Sequence, residues 1–535
     1  MKDKLRSVRN LARRLAPGRA LAAVARPAAV ATLATLAAVA TLAAVAMAAA
    51  VAEVSAGAGA GLRPALTDSP ALASQAAPLP AEPAQPPADA PAAGSRPNLI
   101  FILTDDHRWD ALGCAGHPFL RTPNLDRLAA EGVRFSNAFV TTSLCSPSRA
   151  SFLTGQYAHS HGIRNNLTPW RDGNVTFLEL LKQAGYDTAF IGKWHMPGGG
   201  LPKLRGVDRF ISFTAQAGQG QYVDCPLYVD GVRTERPGKY ITADLTDYAL
   251  EFVSRKRDAP FCLYLSHKAA HHQFLPPPET RGLYRGVPLN LPPEADPWIP
   301  MMWGNMLAGG LGTLGAQYRR YCETLTALDA EVGRVLRRLD ELGIADNTLV
   351  VYAGDNGFFW GEHRLFDKRW AYEEAIRIPF LVRGPGFVRA PGRTEDRMVL
   401  NLDLAPTLLD LAGLPVPPRM EGASLRPLLA DQPCGVDQPP GRVVDRPLLT
   451  GEPCEWRGAW LYEYFKDFPY NVPEIRAVRT ERHVYVEYGG SKGPELFDLA
   501  RDPRQHANLY GTPEGKGLAA ALKESLDRLE KGEQP

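Results

Sequence analysis

Four short stretches of this 535-residue sequence carry acids, amides and basic side chains at close spacing. Two of them hold side chains with oxygen ligands, namely Asp105 and Asp106 in TDDH, and Asp355 and Asn356 in GDNG. Carboxylate and amide oxygens are the ligands that a hard divalent cation requires, whereas zinc favours histidine and cysteine. These four residues are therefore candidate ligands for Ca²⁺, with Mg²⁺ as the alternative.

Other positions supply positive charge and hydrogen-bond donors. The candidates are Arg149, Lys193, His195, His271 and Lys368. Around a divalent cation, such groups suit a small tetrahedral oxyanion, either sulfate or phosphate. The stretch HKAAHHQF also contains His267 and His272, and both are alternatives to His271.

A cysteine at position 145 lies within LCSPSRASFLTG, residues 144–155. A nucleophilic thiol usually needs a histidine or another cation to lower its pKa, and no histidine is near in sequence. Pro147 is favoured in the first turn of a helix, which would place Cys145 just ahead of a helix N-terminus, facing the anion. The structural alternative is a buried cysteine in a helix-capping loop.

Four buried strands must position these polar stretches. The strands are predicted at NLIFILT (98–104), DTAFIG (187–192), FCLYLS (261–266) and TLVVYAG (348–354). In a parallel α/β sheet the carboxyl ends of the strands share one edge, where ligands bind. Each polar stretch alone is also typical of a solvated turn. Together they predict one crevice, because unrelated turns have no reason to place acids after two strands and cations after two others.

Amphipathic helices separate the strands, as in TFLELLKQAG and QYRRYCETLTALDAEVGRVLRRLDELG, each closed by a glycine. This alternation predicts an α/β domain with a largely parallel sheet. The proline-rich passage at 402–429 is expected to lead out of that domain. Beyond about residue 445, the runs IRAVRT, HVYVEYG and PELFDLA predict a small antiparallel sheet, and GLAAALKESLDRLEKG predicts a final helix.

Composition narrows the class of protein. Hydrophobic residues make up 45% of the chain, enough for at least one large core, and a formal net charge of +2 gives no basic field for nucleic acid. The seven cysteines are an odd number spread from Cys114 to Cys454, which does not resemble a disulfide scaffold. Cys434 with Cys454, and Cys114 with any neighbour, are candidate pairs after export.

The first 54 residues are typical of a signal peptide or membrane anchor. A basic start, MKDKLRSVRNLARRLAPGR, precedes an uncharged run from Ala28 to Ala52. The Ala/Pro-rich residues 55–96 are predicted to be a disordered linker, followed by a catalytic domain at 97–445 and a C-terminal subdomain at 446–535. The protein is expected to be exported (periplasmic, secreted or anchored at the outer face of a membrane), with membrane contact only through a possible N-terminal anchor.

These motifs together resemble the type I sulfatases of the alkaline-phosphatase-like superfamily. The signature C-x-P-S-R followed by L-T-G is present as Cys145, Pro147, Ser148 and Arg149, then residues 153–155. TDDH, GKWH, GDNG and GEHRLFDKRWAYEEAIRIPFLVRGPG are similar to family blocks, in the expected order, over about residues 98–510. The resemblance implies an α/β fold with a large mixed sheet sandwiched by helices and a smaller C-terminal antiparallel-sheet subdomain.

The resemblance also implies that a formylglycine-generating enzyme or equivalent maturase oxidises Cys145 to formylglycine. In the hydrate of that aldehyde, one hydroxyl attacks sulfur and displaces the alcohol, and the other then drives elimination of sulfate. The implied ligands of Ca²⁺ (or Mg²⁺) are Asp105, Asp106, Asp355, Asn356 and the modified Cys145. Asp355 would also help to activate the attacking oxygen.

Each basic residue receives a role from the same resemblance. Arg149 would steady the hydrate, while Lys193 and Lys368 would hold the sulfate. His195 would assist elimination, and His271 would protonate the leaving oxygen.

The implied reaction is hydrolysis of a sulfate ester of a small molecule or oligosaccharide. GVDRFISFTAQAGQGQYVDCPLYVDG and HKAAHHQF most resemble sulfatases of sulfated sugars, such as N-acetylglucosamine-6-sulfatases. A loop at 281–312, with Trp298, Met301, Met302 and Trp303, would either shape the substrate mouth or simply pack. Two alternatives stay open: a phosphonate monoester or phosphodiester hydrolase with the same site, and an exported carbohydrate-binding protein that has lost the chemistry.

Overall fold

The computed structural model describes residues 96–197, 204–213, 219–295, 313–431, 434–436, 454–467 and 470–533. All of them belong to one compact unit within residues 86–535. The predictions for residues 1–54 and for the linker up to residue 95 lie outside the described residues. So do Trp298, Met301, Met302 and Trp303 of the predicted substrate mouth. Within the described ranges, no helix is long and apolar enough to cross a membrane.

Short and medium strands alternate with helices along the described chain. The strands are β1 (Asn98–Thr104), β2 (Val133–Phe135), β3 (Ala138–Phe139), β4 (Asp187–Gly192), β5 (Arg209–Ser212), β6 (Leu227–Val229), β7 (Val232–Thr234), β8 (Phe261–Ser266), β9 (Thr348–Gly354), β10 (Phe359–Trp360), β11 (Phe366–Asp367), β12 (Phe380–Arg383), β13 (Arg393–Glu395), β14 (Val399–Leu400), β15 (Cys434–Val436), β16 (Cys454–Trp456), β17 (Ala459–Tyr464), β18 (Ile475–Thr480), β19 (His483–Tyr488) and β20 (Glu495–Asp498). Ten of them form the main sheet, in the order β13-β2-β12-β9-β1-β8-β4-β5-β6-β7.

The main sheet is parallel at its centre and mixed at its margins. The neighbours β9, β1, β8, β4 and β5 run parallel, whereas β12 and β6 join them antiparallel. The four strands predicted from sequence are β1, β4, β8 and β9, with the predicted bounds. Their prediction is confirmed, and so is the mixed sheet implied by the family resemblance. The marginal strands β13, β2, β12, β6 and β7 are only three or four residues long, which explains why a sequence pattern favours a more uniformly parallel sheet.

Helices cover both faces of this sheet. They are α1 (Pro123–Ala130), α2 (Cys145–Thr154), α3 (Ala158–His161), α4 (Phe177–Gln183), α5 (Ile241–Val253), α6 (Leu314–Glu341), α7 (Glu373–Ile376), α8 (Leu404–Leu411), α9 (Arg426–Leu429) and α10 (Gly515–Glu530). Both helices predicted within the catalytic domain are confirmed as α4 and α6. The N-cap of α4 is Thr176, whose hydroxyl accepts from Glu179 N, and α6 is followed by Gly343 at φ 66°.

Alternate residues of β1 serve two separate hydrophobic cores. Ile100 and Ile102 pack on the face that α5 and α6 cover, where Leu328 is also buried. Leu99, Phe101 and Leu103 pack on the opposite face, with side chains of α2, α4 and α8. Successive strand residues point to opposite sides of a sheet, so a continuous apolar run such as NLIFILT fits a strand covered on both faces.

The passage at 402–429 stays within the catalytic domain. Leu404 and Leu408 of α8 and Leu428 of α9 are buried in the same core as Leu99 and Phe101. The expectation that this passage leads out of the domain is therefore wrong. Its prolines mark turns between short helices that pack on the sheet, a local signal that does not reveal the tertiary contact.

A four-stranded antiparallel sheet, β17-β18-β19-β20, forms the C-terminal part of the described chain. Leu522 and Leu526 of α10 cover one face, and Trp460 and Tyr462 on the other face pack with Leu144 beside the signature. The three predicted strands and the final helix are confirmed, but β17 (AWLYEY) was not predicted. The main chains of β15 and β16 pair in parallel with Cys434 opposite Cys454; the side chains of these two cysteines lie outside the described residues.

Candidate active site

The predicted polar residues meet at one edge of the main sheet. Most of them follow the carboxyl ends of four adjacent strands, ordered β9-β1-β8-β4, whereas Cys145 and Arg149 come from α2 and Lys368 follows β11. Main-chain hydrogen bonds extend the pairing past the strand ends, from Asp355 N to Thr104 O and from Lys193 N to Ser266 O, both 2.8 Å. Because these bonds fix the backbone on which the site is built, the side chains are positioned by the sheet itself.

Three carboxylates and the cysteine form a buried cluster. One ligand atom each from Asp105, Asp106, Cys145 and Asp355 lies within 4.8 Å of the other three. Asp106 Oδ2 and Asn356 Oδ1 are buried and have no hydrogen-bond partner. Buried oxygen acceptors are rarely left unsatisfied. The cluster therefore fits a hard divalent cation, as the sequence predicted.

Burial and mutual repulsion both affect the pKa values of the acids in the cluster. Burial, together with the charges of Asp105 and Asp355, raises the pKa of Asp106 to about 7, against the opposing effect of Lys368. Burial, followed by the charge of Asp105, also raises the pKa of Asp355. Burial alone would raise the pKa of Asp105 as well, but nearby Lys193, Arg149 and Lys368 hold it below its usual range. Positive charge is what this set of acids requires to be ionised together.

Cys145 is the first residue of α2, with no exposed surface. It was expected just ahead of the helix. Leu144, which is extended, is the N-cap, so the helix already begins at Cys145. Pro147 lies within the first turn, where the missing N–H of a proline costs no helical hydrogen bond. The Cys145 Sγ atom is 3.6 Å from Asp105 Oδ1, and burial raises the pKa of the thiol. A thiolate nucleophile is therefore disfavoured.

Arg149 links the carboxylate cluster to two strands. Its Nε donates to Asp355 Oδ2 at 2.9 Å, and its Nη1 donates to Lys193 O at 3.0 Å and Ser266 Oγ at 2.6 Å. Its Nη2 lies 3.7 Å from Asp105 Oδ2. The guanidinium is almost fully buried and so neutralises charge while locking the geometry of the cluster.

Two buried lysines pair with two of the carboxylates. The Lys193 ammonium donates to Asp105 Oδ2, and the Lys368 ammonium donates to Asp106 Oδ1. These two residues lie far apart in sequence and arrive on different loops, the first directly after β4 and the second directly after β11. Both residues therefore place an ammonium group at the edge of the cluster. There each can donate hydrogen bonds to the oxygens of a tetrahedral oxyanion.

Among the three neighbouring histidines, His271 lies against the cluster. One of its ring nitrogens is within 4.8 Å of ligand atoms of Asp105 and Cys145, and its Nε2 is 4.0 Å from Asp106 Oδ2. The ring of His272 packs at a tilt against that of His271, with ring centroids 4.2 Å apart. Both ring nitrogens of His267 are buried without a hydrogen-bond partner. The geometry favours His271 over the two alternatives.

Gln219 is a site residue that the sequence did not indicate. Its Oε1 accepts from Lys193 Nζ at 2.6 Å, and its Nε2 lies 2.7 Å from Nε2 of His195. Because an ammonium group only donates, the amide oxygen must face Lys193 and the amide nitrogen must donate to His195. Gln219 therefore holds both side chains in place. One glutamine among several in TAQAGQGQY gives no spacing signal that could have identified it.

Replacing Gln219 with leucine is expected to lower kcat about a hundredfold, because Lys193 and His195 lose their shared support and a small displacement of such groups is costly. The half-buried position predicts little change in the free energy of unfolding. Gln221→Leu, at an exposed position of the same loop, is the matched control. Steady-state kinetics on both variants checks the prediction, and unchanged kcat in Gln219→Leu would show that the contact is incidental.

This fold and this site fit a hydrolase of sulfate or phosphorus esters, and the similarity to known proteins favours sulfate esters. A model of the family described as "Sulfatase" matches residues 97–414, and one described as "N-sulphoglucosamine sulphohydrolase, C-terminal" matches residues 361–532. The chain belongs to the sulfatase family, as the motifs indicated.

Curated relatives include enzymes that act on sulfated sugars. The N-acetylglucosamine-6-O-sulfatase of Bacteroides thetaiotaomicron is 32% identical over 82% of this chain and 86% of its own length. The ulvan-active sulfatase of Formosa agariphila is 31% identical over 81% of each chain. The two family matches, at residues 97–414 and 361–532, together span the main sheet and the C-terminal sheet.

Solved structures share the fold. One, described as a complex with its substrate D-glucosamine-2-N,6-O-disulfate, has a TM-score of 0.71 and 31% identity, and the match covers 82% of this chain and 98% of that chain. The phosphonate monoester hydrolase of Agrobacterium radiobacter has a TM-score of 0.65 and 24% identity over 82% of this chain and 96% of that chain. The second similarity shows the fold alone, so the sulfatase interpretation is favoured over the phosphonate hydrolase.

Proposed function

We propose that this sulfatase removes 6-O-sulfate groups from glucosamine units of sulfated sugars. The observation that carries the proposal is the 32% identity, over most of the chain, to a relative named as an N-acetylglucosamine-6-O-sulfatase. The substrate named for the solved relative, D-glucosamine-2-N,6-O-disulfate, carries sulfate at the same position of the same sugar. The buried basic groups around the carboxylate cluster suit the sulfate end of such an ester.

Catalysis is proposed to need two groups that the chain acquires. A maturase would convert Cys145 to formylglycine, whose hydrate supplies the nucleophile, and Ca²⁺ would supply Lewis-acid polarisation of the sulfate oxygens. The ligands would be Asp105, Asp106, Asp355 and Asn356 together with the modified side chain. Support comes from the unpartnered Asp106 and Asn356 oxygens and from the buried position of the Cys145 thiol beside Asp105.

The remaining side chains bind the sulfate and move protons. Lys193 and Lys368 would turn from their carboxylate partners to the sulfate oxygens once a cation takes over those carboxylates. Arg149 would hold the nucleophile side of the site through Asp355. Burial, and then the charges of His272 and the lysines, lowers the pKa of His271. An anionic ester beside the ring favours its protonated form, which would donate to the leaving oxygen. His195 would accept the proton released during elimination.

Export is part of the proposal. The basic start and the uncharged run from Ala28 to Ala52 support a signal peptide or anchor. The enzyme would then act outside the cytoplasm, as a periplasmic protein, a secreted protein or a protein anchored at the outer face of a membrane.

A desulfation panel tests the proposed substrate. We expect kcat/KM for glucosamine 6-O-sulfates, N-acetylated or N-sulfated, to exceed that for 2-O- and 4-O-sulfated sugars about tenfold or more, because the site discriminates through contacts to the sugar. The panel includes p-nitrophenyl sulfate as a generic ester and phenyl phosphonate as the phosphorus ester. Faster turnover of phenyl phosphonate would overturn the sulfatase proposal. Sugar binding without turnover by matured enzyme would favour the carbohydrate-binding protein.

A further inference from the structure

A cavity of about 450 Å³ opens at the amino edge of the main sheet. Its walls come from the start of β1, the turn between α5 and β8, and the segment between α6 and β9. The catalytic side chains follow the carboxyl ends of those same strands. At about 3.3 Å per residue, the strands separate the cavity from the catalytic centre by roughly 20 Å. The two sites are therefore distinct.

Positive charge dominates the cavity. Its lining includes the cationic side chains of Arg96, Arg255, Lys256 and Arg257. The acidic side chain of the lining is Asp258. Arg255 also pairs with the exposed Glu251 at 2.8 Å. The excess of cations over acids marks the cavity as a place for an anion.

Arg257 has a largely buried guanidinium with two nitrogen donors that lack a hydrogen-bond partner. Its side chain is only 10% exposed and packs between Phe252 and Phe261, with 4.5 and 4.7 Å from the guanidinium carbon to the ring centroids. Its Nη2 donates to Phe252 O, but its Nε and Nη1 are buried without a hydrogen-bond partner. The ion-pair contact with Asp187 is long, at 3.4 Å, and Asp187 is itself 43% exposed. A buried guanidinium with unused donors costs free energy unless a ligand satisfies them.

Arg96 adds a second incomplete guanidinium. Its Nη1 donates to Ala184 O at 2.7 Å, and its Nε is buried without a partner. Arg96 lies two residues before β1 and Arg257 lies four residues before β8, so two neighbouring parallel strands bring the two side chains to the same cavity. The arrangement therefore depends on the sheet rather than on a mobile surface chain.

We propose that this cavity is a second anion site, which binds a sulfate or phosphate oxyanion between Arg96 and Arg257, with Arg255 and Lys256 at its rim. Arginine donors match the oxygens of tetrahedral anions. The volume exceeds that of one oxyanion, so the anion can be free or carried by a larger group such as a sugar. An anion carried by a sugar rests on the proposed function, since a sulfated polymer could present one sulfate to the catalytic site and another to this cavity.

Calorimetric titration of the full chain with inorganic sulfate tests the proposal. Substituting Cys145→Ala in all samples prevents turnover of ester probes. We expect two sulfate sites, one of which is lost or about tenfold weaker in the double variant Arg96→Gln, Arg257→Gln. Arg501→Gln, an exposed arginine of the C-terminal part, is the control and should keep both sites. Unchanged sulfate binding in the double variant would overturn the proposal.

Folding and ligand source are separated by further measurements. If the double variant unfolds, Arg255→Gln at the exposed rim is tested instead. This variant should weaken sulfate binding at the same site without unfolding the chain, and unaltered binding would refute the site.

Repeating the titration with glucosamine 2-N,6-O-disulfate distinguishes the two sources of the anion. If binding of this probe depends on Arg257, the site takes a sulfate carried by a sugar; if it does not, the site takes a free anion. With Cys145 restored, the arginine variants should keep wild-type turnover of p-nitrophenyl sulfate. Failure of that turnover in the wild type would contradict the proposed function but leave the sulfate titration unaffected.

Discussion

Substitution of Cys145 with alanine is expected to lower turnover of every sulfate ester by at least about 10⁴-fold, to the background rate. The reason is positional. Cys145 is buried at the start of α2, with its Sγ atom 3.6 Å from Asp105 Oδ1 and within the group of three carboxylates. In the described chain no other thiol is placed in that group. Steady-state kinetics on purified variants, with mass spectrometry of the peptide around residue 145, provides the measurement.

A matched control uses another buried cysteine. Cys262 lies on β8 among core side chains, away from the carboxylates. Cys262→Ala should cost about 1 kcal/mol of unfolding free energy and keep its turnover. Activity retained by Cys145→Ala, or lost equally in both variants, would contradict the proposed chemistry.

Cys145→Ser refines the same prediction. A serine hydroxyl can accept a sulfuryl group and release the alcohol, but it has no second hydroxyl with which to expel sulfate. We therefore expect a single turnover that leaves one sulfuryl group on residue 145. Intact-protein mass spectrometry after incubation with ester detects that adduct. Sustained multiple turnover by the serine variant would show that one hydroxyl is enough and that conversion of the cysteine is unnecessary.

Much of the site is predictable because sheet geometry converts sequence patterns into proximity. The runs that form β1 and β9 are buried on both faces and end in acids, and Thr104 lies opposite Gly354 in their parallel register. Asp105 and Asp355 must then be neighbours. The same reasoning brings Lys193 beside the end of β8, since Gly192 lies opposite Ser266. The order β9-β1-β8-β4, by contrast, is not readable from any one strand and depends on how the helices cross over.

Residues that act through loops are not predictable in this way. Gln219 reaches Lys193 and His195 from a loop whose composition resembles any polar turn. The strands β5, β6 and β7 at one margin, and β17 in the C-terminal sheet, are also difficult to predict. The first three are only three or four residues long, and β17 is buried on both faces without period-two alternation. Tertiary packing determines these elements more than local sequence does.

Asp106→Asn is expected to weaken binding of Ca²⁺ at least about a hundredfold and to lower turnover with it. Asp106 Oδ2 is a buried oxygen without a partner, whereas Oδ1 already accepts from Asn356 Nδ2 at 2.7 Å and from Lys368. The free oxygen is thus available to a cation. The asparagine amide has the same shape as the carboxylate but no charge. The substitution should therefore lower the affinity for the cation and leave the free energy of unfolding of the cation-free protein little changed.

Calorimetric titration of Ca²⁺ into chelator-treated protein measures this affinity directly, and thermal unfolding provides a second measurement. A cation that binds only the folded state should add about 3 kcal/mol to the unfolding free energy of the wild type at a hundredfold excess over Kd, and much less in Asp106→Asn. Asp110→Asn is the matched control, because Asp110 follows on the same loop but pairs with Arg108 at 2.7 Å. Equal Ca²⁺ affinity in wild type and Asp106→Asn would place the cation outside the carboxylate cluster, and the roles proposed for Lys193 and Lys368 would then have no basis.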